Sequence, residues 1–174
     1  MDSLVVVLPS LVAVVVLLAL SAFFSSSESA IFSLPDDWIR TAAADGSADG
    51  RTLQRLRSDP HRLLVTILVG NNVVNIAITS IVTLLVARFV PPGATVVVAT
   101  VAVSVLVLVL GEIVPKSYGF GHARSWSLRV ARPLSVVERL LAPLVFLFDA
   151  GTRRLTALVG GDVHIEEPYL DDDG

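Results

Sequence analysis

LVVVLPSLVAVVVLLALSAFF, residues Leu4–Phe24, decides the fold, because 21 residues pass without a single charge. At about 1.5 Å per helical residue, such a run covers a hydrocarbon core of about 30 Å. The residue before it is polar and acidic, Asp2 with Ser3, not basic, and the run is too long for the apolar region of a secretion signal. It reads as a retained span. Two further apolar runs follow, Leu63–Ala87 and Ala94–Leu110, and Pro91-Pro92-Gly93 between them makes a tight turn with no room for a domain. With 53% hydrophobic and 17% charged residues and a mean hydropathy of +0.75, the chain needs lipid as its solvent.

The expected fold class is therefore all-α: a polytopic membrane protein with three transmembrane helices at about 4–33, 63–89 and 94–114, plus an amphipathic juxtamembrane helix at 133–160. Residues 1–132 form the transmembrane module. Within it, 35–61 is a water-exposed loop whose Trp38, Ile39, Leu53 and Leu56 are spaced as short amphipathic helices would space them. In 133–160, Leu134, Val137, Leu141 and Phe148 alternate with Glu138, Arg139, Asp149, Arg153 and Arg154, and Pro143 would kink a helix. A helix lying in the interface keeps those charges in water or headgroups, whereas a fourth span would carry Asp149 into the hydrocarbon. Residues 161–174 are acidic, ending in Asp171, Asp172 and Asp173, and read as a linker to a cytoplasmic domain beyond this sequence.

Orientation follows from the basic residues, which concentrate in cytoplasmic loops. Arg40, Arg51, Arg55, Arg57 and Arg62 lie between the first two spans, and Lys116, Arg124, Arg129 and Arg132 follow the third. Only Arg88 is near the Pro91 turn. The N-terminus is expected outside and the C-terminus in the cytoplasm of a multi-pass cell-membrane protein.

The chain has no cysteine, so thiolate metal sites, disulfides and cysteine nucleophiles are excluded, and a metal must be held by oxygen or imidazole. His61, His122 and His164 all fall in expected loops or tail, which argues against an intramembrane serine hydrolase, against ligation by imidazole and against enzymatic function generally. No basic patch suggests nucleic acid as a partner. Lys116 is the sole lysine.

Three polar clusters interrupt the spans. Ser21 to Ala30 reads SAFFSSSESA, with Ser21 and Ser25 one helical turn apart. Gly70-Asn71-Asn72-Val73-Val74-Asn75 opens the second span, with Asn71, Asn75 and Thr79 on one face. Gly111-Glu112-Ile113-Val114-Pro115-Lys116 closes the third, where the proline frees carbonyls upstream and Gly111 admits close approach. Given the orientation, all three lie toward the cytoplasmic half of the membrane. Any one serine there could simply bond the carbonyl a turn back, the asparagines could be interhelical glue, and Glu112 could pair with Lys116. Taken together, they offer hydroxyls, amide oxygens, a carbonyl and a carboxylate, the ligand set of a hard cation such as Mg2+. A charge near the bilayer centre costs about 2.5–3.5 kcal/mol, so Glu112 invites a counter-cation or a proton.

These clusters, Phe24 to Ala30, Gly70 to Asn72 with Asn75, and Gly111 to Lys116, resemble the transmembrane module of the CNNM/CorC family of magnesium transporters, and the resemblance covers nearly the whole chain. It implies a homodimer in the lipid bilayer, Mg2+ export with Na+ influx as a candidate coupling, and nucleotide binding confined to CBS domains beyond this sequence. Carried over by position, it implies metal ligands at Ser21, Ser25, Asn75, Glu112 and the carbonyl of Gly111, with Asn71 in or beside the shell. The residues alone leave the coupling ion open. They also leave open a membrane-anchored cation sensor that regulates a cytoplasmic domain without transport.

Overall fold

A computed structural model describes residues 2–159, with side chains from 5 to 147. It is all-α among the described residues. Helix α1 spans Asp2–Phe32, α2 Asp36–Ala44, α3 Ala48–Arg57, α4 Pro60–Val86 and α5 Pro92–Val105. A π-helical segment, Leu106–Ile113, continues α5 into α6, Val114–Gly121, and α7 runs Ala123–Val159. Three helices are long and apolar enough to cross a membrane: Val5–Phe32, Pro60–Val86 and the composite Pro92–Gly121.

The boundaries differ from the expected ones for local reasons. The second helix starts at Pro60 because Asp59 caps it, its carboxylate accepting the Arg62 N–H at 3.0 Å, and proline suits the first helical position. The third helix does not end at 114. Pro115 stands at the second position of α6, and the π segment absorbs the missing donor, the Val114 N–H reaching Val109 O five residues back. The juxtamembrane helix begins earlier than residue 133, at Ala123, and passes through Pro133 and Pro143. Residues 160–174, including the acidic linker and His164, lie outside the described residues.

Helix α1 is the centre of the bundle, packing on α4, on the π segment and α6, and on α7. Its first half turns Val5, Leu8, Val12 and Val15 outward, as α5 does Val96, Val97 and Val101. Surfaces this apolar are stable only against lipid or another apolar surface. The second half of α1 is buried, and Gly119 of α6 sets the spacing there. A Cβ added to Gly119 would stand 2.3 Å from the Ser26 carbonyl oxygen, so only glycine lets α6 lie this close to α1.

Beyond the spans, α2 and α3 form a hairpin against α7. One stripe of α7, Ser127, Val130, Ala131, Leu134, Ser135 and Glu138, is buried at helical period against Leu53 and Leu56 of α3 and Ile31 of α1. The opposite stripe exposes Val136, Leu140, Phe146 and Leu147. Polar links fix the register. Trp126 Nε1 donates to Ser26 Oγ at 3.0 Å, Arg132 pairs with Asp49, and the buried Glu138 carboxylate takes Arg55 at 3.2 Å and Arg62 at 3.1 Å. The α2–α3 hairpin and α7 therefore lie on the same side of the three spans.

The Glu138 node is asymmetric. Its carboxylate side chain is 11% exposed, while Arg55 and Arg62 are 49% and 50% exposed. Losing the carboxylate returns two arginines to water, but losing both arginines strands a buried charge. Glu138→Gln is expected to cost under about 1 kcal/mol. The double variant Arg55→Ala/Arg62→Ala is expected to cost about 3 kcal/mol. Thermal unfolding of the detergent-solubilised proteins checks this, and equal losses from both changes would refute the asymmetry.

Candidate functional site

Ser21 lies on the buried face of α1, fully enclosed, where it meets the second span. Its Oγ stands 2.9 Å from Asn71 Oδ1 and 3.0 Å from Asn75 Oδ1. Those two amides are one turn apart on α4, so both reach the same hydroxyl. A serine hydroxyl carries one proton and can satisfy one of these acceptors at a time. The junction therefore holds three oxygens with lone pairs to spare.

The third span closes on the same point. A Cβ built on Gly111 would lie 2.7 Å from Ser21 Oγ and 3.3 Å from Ser21 Cβ, so the absence of a side chain brings this backbone against the hydroxyl. The local helix is π-wound there, Leu106–Ile113. In an α-helix the Gly111 carbonyl would accept from residue 115, and residue 115 is proline, which has no N–H to give. Gly111 is buried and Glu112 beside it half-buried.

Ser25 is one turn further along α1, 1% exposed, and its Oγ has no hydrogen-bond partner. A buried hydroxyl left unpaired costs about 1–3 kcal/mol. The neighbouring serines show the ordinary alternative: Ser26 and Ser27 both donate to the Phe23 carbonyl, at 3.2 and 2.6 Å. That back-bonding satisfies a hydroxyl within its own helix and is a structural role. Ser25 does not adopt it.

Of the six residues expected to ligate a metal, the structure joins Ser21, Asn71 and Asn75 by hydrogen bonds and presses Gly111 against Ser21. Ser25 adjoins the group through α1, with its hydroxyl unsatisfied. Glu112 adjoins it through Gly111, and among the described residues no hydrogen bond or ion pair ties its carboxylate. Lys116 does not pair with Glu112; it reaches across to Glu28 of α1, Nζ to Oε2 3.3 Å. Two further polar residues of α4, neither expected as a ligand, turn away. Asn72 is exposed, its amide donating to Leu68 O at 3.0 Å, and Thr79 donates to the Asn75 carbonyl at 2.8 Å from the exposed side of α4.

The donor set is oxygen only. Among the described residues no three of His, Cys, Asp and Glu stand together as a metal cluster. His61 lies in the first turn of α4, and His122 sits in the turn before α7, its ring stacked on Tyr118 at 4.3 Å. Neutral oxygens with one adjacent carboxylate suit a hard cation and give soft metals nothing to prefer. The ion pair Glu28–Lys116 and the Trp126–Ser26 bond were not legible beforehand, because both join residues of separate helices.

Comparison with known proteins identifies the family. The family described as the Cyclin M transmembrane N-terminal domain matches residues 12–173. A chloroplastic DUF21 domain-containing protein of Arabidopsis thaliana is 37% identical over 161 residues, 91% of this chain and 24% of the relative. The UPF0053 inner membrane protein YfjD of Escherichia coli is 33% identical over 145 residues, 81% of this chain and 33% of the relative. A UPF0053 protein of Haemophilus influenzae is 31% identical over 156 residues, 90% of this chain and 37% of the relative. The chain thus spans between about a quarter and two fifths of the length of these relatives. With three spans, the polar junction between them and a family match over nearly its whole length, the chain belongs to the CNNM family as its transmembrane domain.

Proposed function

We propose that this domain carries Mg2+ across the membrane through a dehydrated site built from Ser21, Ser25, Asn71, Asn75, the Gly111 carbonyl and Glu112. The observation that carries the reading is the oxygen junction of the three spans. Mg2+ demands near-octahedral oxygens at 2.0–2.1 Å, so neighbouring ligands in its shell stand about 2.9 Å apart. The Ser21–Asn71 and Ser21–Asn75 oxygen pairs are at 2.9 and 3.0 Å. Mg2+ among these oxygens would change little in the spacing, the Ser21 hydroxyl turning its proton outward while its lone pair ligates, and the unpaired Ser25 hydroxyl would gain a partner.

In this reading Glu112 supplies the charge that offsets removal of water from the cation. With the arginine-rich α2–α3 hairpin and α7 in the cytoplasm, the N-terminus is outside and the site opens toward the cell interior. Rocking of the spans about α1 would expose it outward, giving export, with Na+ as a candidate coupling ion and a homodimer as the assembly. A second use of the same site is favoured by one contact: α7 is bonded to α1 through Trp126 and Ser26, next to Ser25. Site occupancy could thereby be reported to whatever follows α7, without transport. Flux of Mg2+ through sealed vesicles holding the full-length protein separates transport from sensing.

Two outcomes test the site. Asn75→Ala and Glu112→Ala are expected to abolish Mg2+ binding, measured by calorimetry, while leaving a folded protein; unchanged binding in both would sink the assignment. Ser25→Ala gives a sharper sign. Without Mg2+ it should be neutral or stabilising by about 1 kcal/mol, since an unpaired buried hydroxyl is removed. Mg2+ at about a hundred times its Kd should stabilise the native protein by about 2.7 kcal/mol, and Ser25→Ala should lose most of that gain. A melting shift with Mg2+ as large as the native protein's would remove Ser25 from the ligand set.

Topology is tested separately. Because the chain has no cysteine, single cysteines at Gly93 and at Ser47 label cleanly. In intact cells an impermeant thiol reagent should reach the first and not the second, and the reverse result would invert the orientation.

A further inference from the structure

The ion pair between Glu28 and Lys116 has no part in the proposed ligand set, yet it is built into the same face of the bundle. Ser21, Ser25 and Glu28 occupy positions i, i+4 and i+7 of α1 and share one helical face. On the third span Lys116 follows Glu112 by four residues, about one turn. The pair therefore stands about one turn beyond Ser25 and Glu112, toward the α2–α3 side.

A glutamate four residues before a lysine is the favourable order for an ion pair within a helix. Glu112 and Lys116 are therefore natural partners, and their pairing would neutralise the one carboxylate in the ligand set. The tethered ammonium would compete with the cation at every turnover. In the structure Lys116 lies instead against Glu28, at 3.3 Å, with 33% of the Glu28 side chain exposed.

We propose that Glu28 is a positioning residue: it holds the Lys116 ammonium away from Glu112 and so keeps that carboxylate free for the transported cation. The inference rests on the proposed site for the identity of the cation, but the ion-pair exchange itself does not. Glu28 touches no ligand in this scheme. It acts through Lys116, so its loss should be repaired by removing the lysine's charge, which would not happen if Glu28 were a ligand or a structural strut.

Calorimetric Mg2+ binding is measured on the native chain, Glu28→Gln, Lys116→Gln and the double variant. Glu28→Gln should weaken binding at least tenfold, Lys116→Gln should bind like the native chain, and the double variant should return to within about threefold of native. Native-like binding in Glu28→Gln, or a double variant as weak as Glu28→Gln, overturns the proposal. A second arm needs no Mg2+. Because Lys116 is the sole lysine, acylation by an amine-reactive ester, read by mass spectrometry on its peptide, reports that ammonium alone. In Glu28→Gln the lysine should stay protected by Glu112, and Glu28→Gln/Glu112→Gln should be acylated at least fivefold faster; equal rates overturn the exchange. A native chain that binds no Mg2+ but shows the fivefold difference would defeat the proposed function while leaving the exchange standing.

Discussion

One proton serves three oxygens where the first two spans meet, and the rest of the site is arranged around that shortage. In water a serine hydroxyl facing two amide oxygens would be unremarked, since solvent would supply the missing donors. Between apolar helices such donors are scarce. The contact of Ser21 with Asn71 and Asn75 thus does two things. It holds α1 to α4 at a fixed register, and it leaves lone pairs whose natural satisfaction is a cation. Structural glue and the proposed ligand set are the same atoms. Either function alone would explain the distances; the unpaired Ser25 hydroxyl one turn away is the observation that the proposed ligand role adds to them.

The third span joins through a backbone solution to the same constraint. Pro115 cannot donate to the carbonyl four residues back, and Gly111 has no side chain to hold its neighbour off. The helix responds by winding as a π segment over Leu106–Ile113. Such segments shift hydrogen bonding to five residues and turn the helix face that follows. Here the shift carries the backbone onto Ser21. A straight α-helix of the same residues with alanine at 111 would push the third span away and open the site.

Much of this was legible in order along the chain and little of it across the chain. The three spans are fixed by long uncharged runs such as Leu4–Phe24, a signal that only lipid can explain, and the polar clusters stand out because every polar residue in such a run is costly. Their convergence could be inferred from topology. Their partners could not: Lys116 is matched by spacing to Glu112, yet the fold gives it to Glu28, because the choice depends on how closely Gly119 lets α6 approach α1. The same holds for α7. Prolines at 133 and 143 and a scatter of charges suggested a helix starting late, whereas Trp126 on Ser26 and the buried stripe from Ser127 to Glu138 anchor it from Ala123 onward. Tertiary contacts override local breakers where a helix has enough buried surface.

The distribution of charge also has a consequence for how tightly the proposed site would hold a cation. Full charges are paired at the edge of the bundle, as with Glu138 between Arg55 and Arg62, and Glu112 lies next to Gly111 beside the oxygen junction. Affinity for a divalent cation rises with the number of charged ligands and the rigidity of the cage. A cage of several carboxylates would bind Mg2+ firmly, but empty it would leave several like charges facing each other in a low dielectric. Neutral hydroxyls and amides avoid that cost, and Ser21 bonds to Asn71 and Asn75. In the proposed reading an ion would take the place of the hydrogen bonds from Ser21. A hold weak enough to be reversed by this exchange is what transport requires, because a cation that cannot leave is not carried.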